Sequence, residues 1–187
     1  MVVFTDGRSK RVIFLAHCLL NQNAISDGTA VSPASFQAVI RLLLDAEVGI
    51  VQMPCPELCC LGLDRGNIHG ADSPVTVENT RIRESLGQDG PRRQLEGLAD
   101  QVVHQILEYR KYGFAVLGIV GADRSPTCGV ETTSAYGEEV AGQGLFMQAL
   151  SARLALEGIS LPMIGVRDPQ TAAEQVRALL RSGGGLT

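Results

Sequence analysis

The chain has 187 residues, a length that fits one domain with a full core, and its 45% hydrophobic and 19% charged content is globular. A net charge of −4 without any basic run excludes a nucleic-acid duplex as the expected partner, and 4% aromatic content with no tryptophan argues against a base-stacking platform. No apolar stretch approaches the ~20 residues of a membrane span, so no membrane partner is expected.

Residues 1–10 are polar and read as a flexible arm. Residues 12–16 form a continuous apolar run, the pattern of a strand covered on both faces. His17 and Cys18 follow it. The loop 19–31 contains Asn21, Asn23, Asp27 and Gly28, all turn formers. Ser32 and Pro33 read as the start of a helix, serine as N-cap and proline at the first position. Phe36, Val39, Ile40, Leu43 and Leu44 then share one helical face. Residues 48–51 read as a second strand, parallel to the first because a helix joins them.

The segment Met53-Pro54-Cys55-Pro56-Glu57-Leu58-Cys59-Cys60 comes next. Residues 61–91 are rich in glycine and proline and read as a long irregular stretch, a lid, a binding loop or a disordered segment, with a short helix at 80–86. Arg65, Arg81 and Arg83 in this stretch read as solvated surface residues. A long helix is expected over 92–112, stopped by Gly113, and a third strand over 114–120. Residues 130–144 look irregular, and a helix follows from Leu145 to Gly158. Residues 162–166 make a fourth strand. Asp168 and Pro169 start a last helix, and the tail around Gly183 reads as flexible.

This alternation of strand and helix predicts a single doubly wound α/β domain over 1–187. It has a mainly parallel sheet of about four strands flanked by helices, a flexible arm (1–10) and a flexible tail (182–187). Ligands of such sheets bind beyond the carboxyl ends of the strands. Cys18, Cys55 and Cys128 each follow a strand, so the fold predicts that they converge there. Five cysteines is an odd number in a chain too large to need disulfide staples. No secretory leader is visible either, so the expected location is the reducing cytoplasm.

Clustered cytoplasmic thiols have three uses. A structural zinc site wants four ligands and usually paired Cys-x-x-Cys knuckles, which the chain lacks. A thiol-redox pair could use Cys55 with Cys59 or Cys60. An iron–sulfur cluster accepts thiolates scattered over several loops, and three of them would leave one iron of a four-iron cube open. Cys59 or Cys60 as a fourth ligand would instead close the site, as in a non-catalytic metal-binding sensor.

Three motifs resemble those of the 2-thiouracil desulfidase family. They are Cys18-Leu19-Leu20-Asn21, Pro54-Cys55-Pro56-Glu57 and Ser125-Pro126-Thr127-Cys128-Gly129, in that order over about residues 11–166. The resemblance implies a [4Fe–4S] cluster held by Cys18, Cys55 and Cys128. It implies Glu57 and Ser125 as catalytic residues that assist hydrolysis, and a small thiolated heterocycle as substrate. A thiocarbonyl sulfur is soft and suits an open iron acting as Lewis acid, while a carboxylate activates water. Asn21, Asn23 and Asp27 are candidate substrate-binding residues. The chain departs from the family at Ile25-Ser26-Asp27-Gly28, where many members carry Arg-Tyr-Asp-Gly. It departs again at Cys59-Cys60, near a usual Gly-Gly pair, and at Thr127, where serine is usual.

Overall fold

A computed structural model describes residues 4–182. Residues 1–3 and 183–187 lie outside the described residues, and with them parts of the expected arm and tail. The central sheet has four parallel strands: β1 (Arg11–Leu15), β2 (Gly49–Gln52), β3 (Ala115–Ala122) and β6 (Met163–Val166). Their spatial order is β2-β1-β3-β6. Helices α2 (Gln37–Asp45) and α7 (Pro169–Ser182) pack together on one face. Helices α5 (Asp89–Lys111) and α6 (Leu145–Leu156) pack together on the other. Right-handed crossovers demand this division, because the chain leaves β1 in one direction and later passes back over it in the other. The sheet is the doubly wound one expected.

Burial on both faces explains the apolar strands. Ile13, Phe14 and Leu15 are fully buried at the centre of the sheet, as are Ile119 and Val120 beside them. The core continues into Val39 and Leu43 of α2, Val102 and Ile106 of α5, Phe146 and Leu150 of α6, and Val176 and Leu180 of α7. Among the described residues no helix is long and apolar enough to cross a membrane.

Several local expectations are corrected. Helix α2 begins at Gln37, not at Ser32 and Pro33. Residues 34–36 are tied to the first loop instead, because Gln22 N–H donates to the Ala34 carbonyl and Phe36 N–H to the Leu19 carbonyl. The stretch 61–91 is not one long irregular segment. The helix expected at 80–86 is there but starts earlier, as α4 (Val75–Leu86); the short helix α3 (Pro56–Leu61) precedes it and the first turn of α5 follows. The region 130–144 forms an antiparallel hairpin, β4 (Thr132–Ala135) and β5 (Glu138–Ala141). Its turn residues Tyr136 and Gly137 both have positive φ, the backbone of a type I′ turn. A four-residue helix, α1 (His17–Leu20), directly follows β1.

Strand β3 carries one extra residue against β1. Val12 faces Val116 and Phe14 faces Ile119, so three steps along β3 match two along β1. Such a bulge re-aims the end of a strand. Gly118 lies in it at φ 152°, and a Cβ there would meet the Pro162 carbonyl oxygen at 2.7 Å. Gly118→Ala should therefore destabilise the fold by on the order of 1–3 kcal/mol, visible as a lower melting temperature.

Candidate functional site

The strand order decides where the cysteines meet. β1 lies between β2 and β3, and the ladder extends past the strand ends. Ala16 N–H donates to the Val120 carbonyl and Met53 N–H to the Leu15 carbonyl, each at 2.8 Å. Cys18 then falls in α1, Cys55 caps the N-terminus of α3, and Cys128 sits in the loop after β3. All three line one cavity of about 160 Å³ at the carboxyl edge of the sheet.

Local hydrogen bonds fix Cys55 and Cys128. Cys55 Sγ accepts from the Leu58 N–H at 3.5 Å, and Pro56 occupies the first helical position, where no N–H is needed. Cys128 is buried, its N–H donating to Ser125 Oγ at 3.0 Å and its carbonyl accepting from Ala122 N–H. Asp123 shapes the same loop: its Oδ1 accepts from the backbone N–H groups of Val130, Glu131 and Thr132. Glycine is required after Cys128, because a Cβ on Gly129 would overlap the Thr132 carbonyl.

Glu57 is 7% exposed and is clamped from four sides. Its Oε1 accepts from Thr127 Oγ1 at 2.8 Å and from Ser125 Oγ at 3.3 Å. Its Oε2 accepts from Ser26 Oγ at 3.1 Å and from Arg65 Nε at 3.2 Å. A buried charge survives only when paired and hydrogen-bonded, and these four donors meet that condition. The second and third motifs thus join through one carboxylate.

Sequence reasoning missed three members of this group. Thr127 makes the shortest contact to Glu57. Ser26, in the stretch that departs from the family, reaches its other oxygen. Arg65 is 2% exposed rather than a solvated surface arginine. Arg81 and Arg83 are also engaged, Arg81 with Glu78 at 2.7 Å and Arg83 with Thr133 Oγ1 at 3.2 Å. His17 lines the cavity, and its buried Nε2 has no hydrogen-bond partner.

Asn21, Asn23 and Asp27 are not in the cavity wall. Asn21 Oδ1 accepts from the backbone and side chain of Asn23, and Asp27 Oδ1 accepts from Gly28 N–H. Gln22, Ser26 and Thr29 of the same loop line the cavity in their place. Cys59 is exposed and Cys60 half-buried, and neither lines the cavity.

The thiol electrostatics follow from this packing. Burial pushes Cys18 and Cys55 up to about 12, with Cys55 and Glu57 adding to the effect on Cys18 and Glu57 to that on Cys55. Cys128 is pushed well up by burial, then by Cys18 and Cys55. Reactive cysteines have the opposite shift. Burial, then Arg65, lowers His17, so its imidazole favours the neutral form.

Among the described residues no three His, Cys, Asp or Glu side chains are grouped so as to hold a single metal ion. A cluster differs from an ion in that each thiolate takes its own iron, so its ligands stand further apart. The soft donor set, the shared cavity and the orphaned His17 Nε2 fit such a group. Cys18, Cys55 and Cys128 would hold it.

No known family profile matches the chain, and no solved structure matches it. The chain is similar to the uncharacterized protein MJ0003 of Methanocaldococcus jannaschii. The two are 28% identical over 123 residues, which cover 66% of this chain and 70% of that protein.

Two outcomes follow for the metal-free protein. Iodoacetamide at about pH 8 should label exposed Cys59 first, and Cys18, Cys55 and Cys128 only on unfolding, as read by peptide mass mapping. Cys18 and Cys55 have raised native values, so between the ordinary 9.0 and about 12 the unfolded chain has lost protons that the native chain keeps. Stability should therefore fall as pH rises through that window, measured by urea unfolding at several pH values.

Proposed function

We propose that the chain is a [4Fe–4S]-dependent desulfidase that hydrolyses a thiocarbonyl, such as that of a thiolated pyrimidine. One water is consumed: its oxygen replaces the sulfur on the carbon, giving a carbonyl, and the sulfur leaves with both water protons as hydrogen sulfide. The observation that carries this reading is the joining of three thiols from three strand ends, Cys128 buried and Cys18 and Cys55 half-buried, with the Glu57, Ser125 and Thr127 group at one cavity. When bound, the cluster supplies an open iron as a Lewis acid for a soft sulfur, which makes the carbon more electrophilic.

The chain's own residues do the rest. Glu57 Oε1 takes a proton from the attacking water, acting as general base. Ser125 Oγ and Thr127 Oγ1 stand 3.1 Å apart on that same oxygen and hold it toward the cavity. Ser125 Oγ also accepts from the N–H groups of Thr127 and Cys128, which leaves its own proton free to be donated toward substrate or Glu57. The cavity is small against the roughly 300–1,000 Å³ of drug-sized sites, which suits a compact heterocycle.

The alternatives are less well supported. A closed sensor needs a fourth thiolate, and Cys59 and Cys60 are outside the cavity wall. A thiol-redox protein needs a thiol of low pKa, and the cavity thiols are shifted upward. All five cysteines are free, which suits a cytoplasmic setting.

The test is sulfide release from 2-thiouracil by anaerobically reconstituted protein. Glu57→Gln and Ser125→Ala should each keep the iron content and lower sulfide release by about 10²-fold or more. A cluster-loaded protein that releases no sulfide from any thiolated pyrimidine would end this reading.

A further inference from the structure

Arg65 is the one cation bonded to Glu57 among the described residues, and every donor it owns is committed. A guanidinium carries five N–H groups in a planar fork. Nε donates to Glu57 Oε2 at 3.2 Å. Nη1 donates to the Gly62 and Leu63 carbonyls, each at 2.9 Å. Nη2 donates to the Ala24 carbonyl and faces Cys55 Sγ at 3.8 Å. These five contacts tie the loop after α1 to both ends of α3, the two segments that bring Cys18, Cys55 and Glu57 together.

The backbone bends to allow it. Arg65 has φ 55°, a left-handed conformation that costs a non-glycine residue energy and persists only where its surroundings enforce it. Its N–H donates to the Gly62 carbonyl, and its own carbonyl accepts from Arg81 Nη2 at 2.8 Å. Arg81 is itself held by Glu78 of α4. A second ion pair therefore braces the first.

We infer that Arg65 is a positioning and charge-balancing residue of this site: its fork aims Glu57, and its fixed positive charge offsets the negative charge that three thiolates and a carboxylate bring to the cavity. The charge-balancing half rests on the cluster reading above; the positioning half rests on the geometry alone. Lysine keeps the charge but has neither the fork nor the reach to five acceptors, so Arg65→Lys and Arg65→Gln separate the two halves. Opposite charge at close range in a poorly solvated site favours the more negative, reduced state of a bound redox centre.

Both variants and the wild type are reconstituted anaerobically and compared for midpoint potential, iron content and sulfide release. Arg65→Gln should move the midpoint potential to a more negative value, and Arg65→Lys should stay near the wild type. Arg65→Lys should lower kcat about tenfold or more with KM little changed, because Glu57 loses its aim. A wild-type potential in Arg65→Gln overturns the charge-balancing claim, and a wild-type kcat in Arg65→Lys overturns the positioning claim.

If the variants do not fold, nuclear magnetic resonance on the wild-type chain decides. The Arg65 Nε–H should exchange slowly with solvent and should shift or broaden on cluster assembly. Exchange at the rate of an exposed arginine overturns the positioning claim, and a signal unmoved by assembly overturns the charge-balancing claim. A cluster-loaded wild type that releases no sulfide ends the desulfidase reading alone, and the potential of Arg65→Gln still judges Arg65. A wild type that assembles no cluster ends that reading and the charge-balancing claim together, and Nε–H exchange then judges positioning.

Discussion

Placing β1 between β2 and β3 is the constraint on which the site depends. Three connections leave the same edge of the sheet side by side, although they are far apart in the chain. Cys18, Cys55 and Cys128 are each a few residues beyond a strand, so the sheet order alone brings them to one cavity. The bulge at Gly118 then sets where β3 stops, and Gly129 lets the following loop fold tightly enough to seat Cys128. Fold and site are one arrangement here, and a change in strand order would disperse the thiols.

Burial gives the site its chemical character. Three thiols packed beside a carboxylate around one small cavity are costly to charge, and the rise of all three thiols expresses that cost. A bound group that takes the thiols as thiolates releases their protons and replaces solvent with metal. Arg65 and the hydroxyls of Ser26, Ser125 and Thr127 satisfy Glu57 within the protein. His17 Nε2 is left without a partner at the same cavity.

The strands were legible because a strand buried on both faces is a continuous apolar run, as at Ile13, Phe14 and Leu15. Convergence of the three cysteines followed from the general rule for ligands of doubly wound sheets. Only the second half of helix α4, at 80–86, was legible; its first half was not, because the residues it buries are Glu78 and Asn79. Their partners, Asn67 and Ser134 among them, come from elsewhere in the chain, so the apolar periodicity is broken. The hairpin was hidden because Tyr136 takes a turn position that Asn or Asp usually fills. Arg65 was misread because its type is ordinarily exposed, and three of its five acceptors, on Ala24, Cys55 and Glu57, come from outside its own turn. Asn21, Asn23 and Asp27 had the composition of a polar binding loop but bond locally instead, while Ser26 between them reaches Glu57.

The central claim is that Cys18, Cys55 and Cys128 suffice as protein ligands. The most direct measurement is the count of iron and acid-labile sulfide per chain after anaerobic reconstitution, with and without Cys59 and Cys60. Four irons and four sulfides should be found in the wild type and in the Cys59→Ala, Cys60→Ala double variant, and none should be retained by Cys128→Ala. Loss of the iron on removing Cys59 and Cys60, or its full retention by Cys128→Ala, would contradict the account.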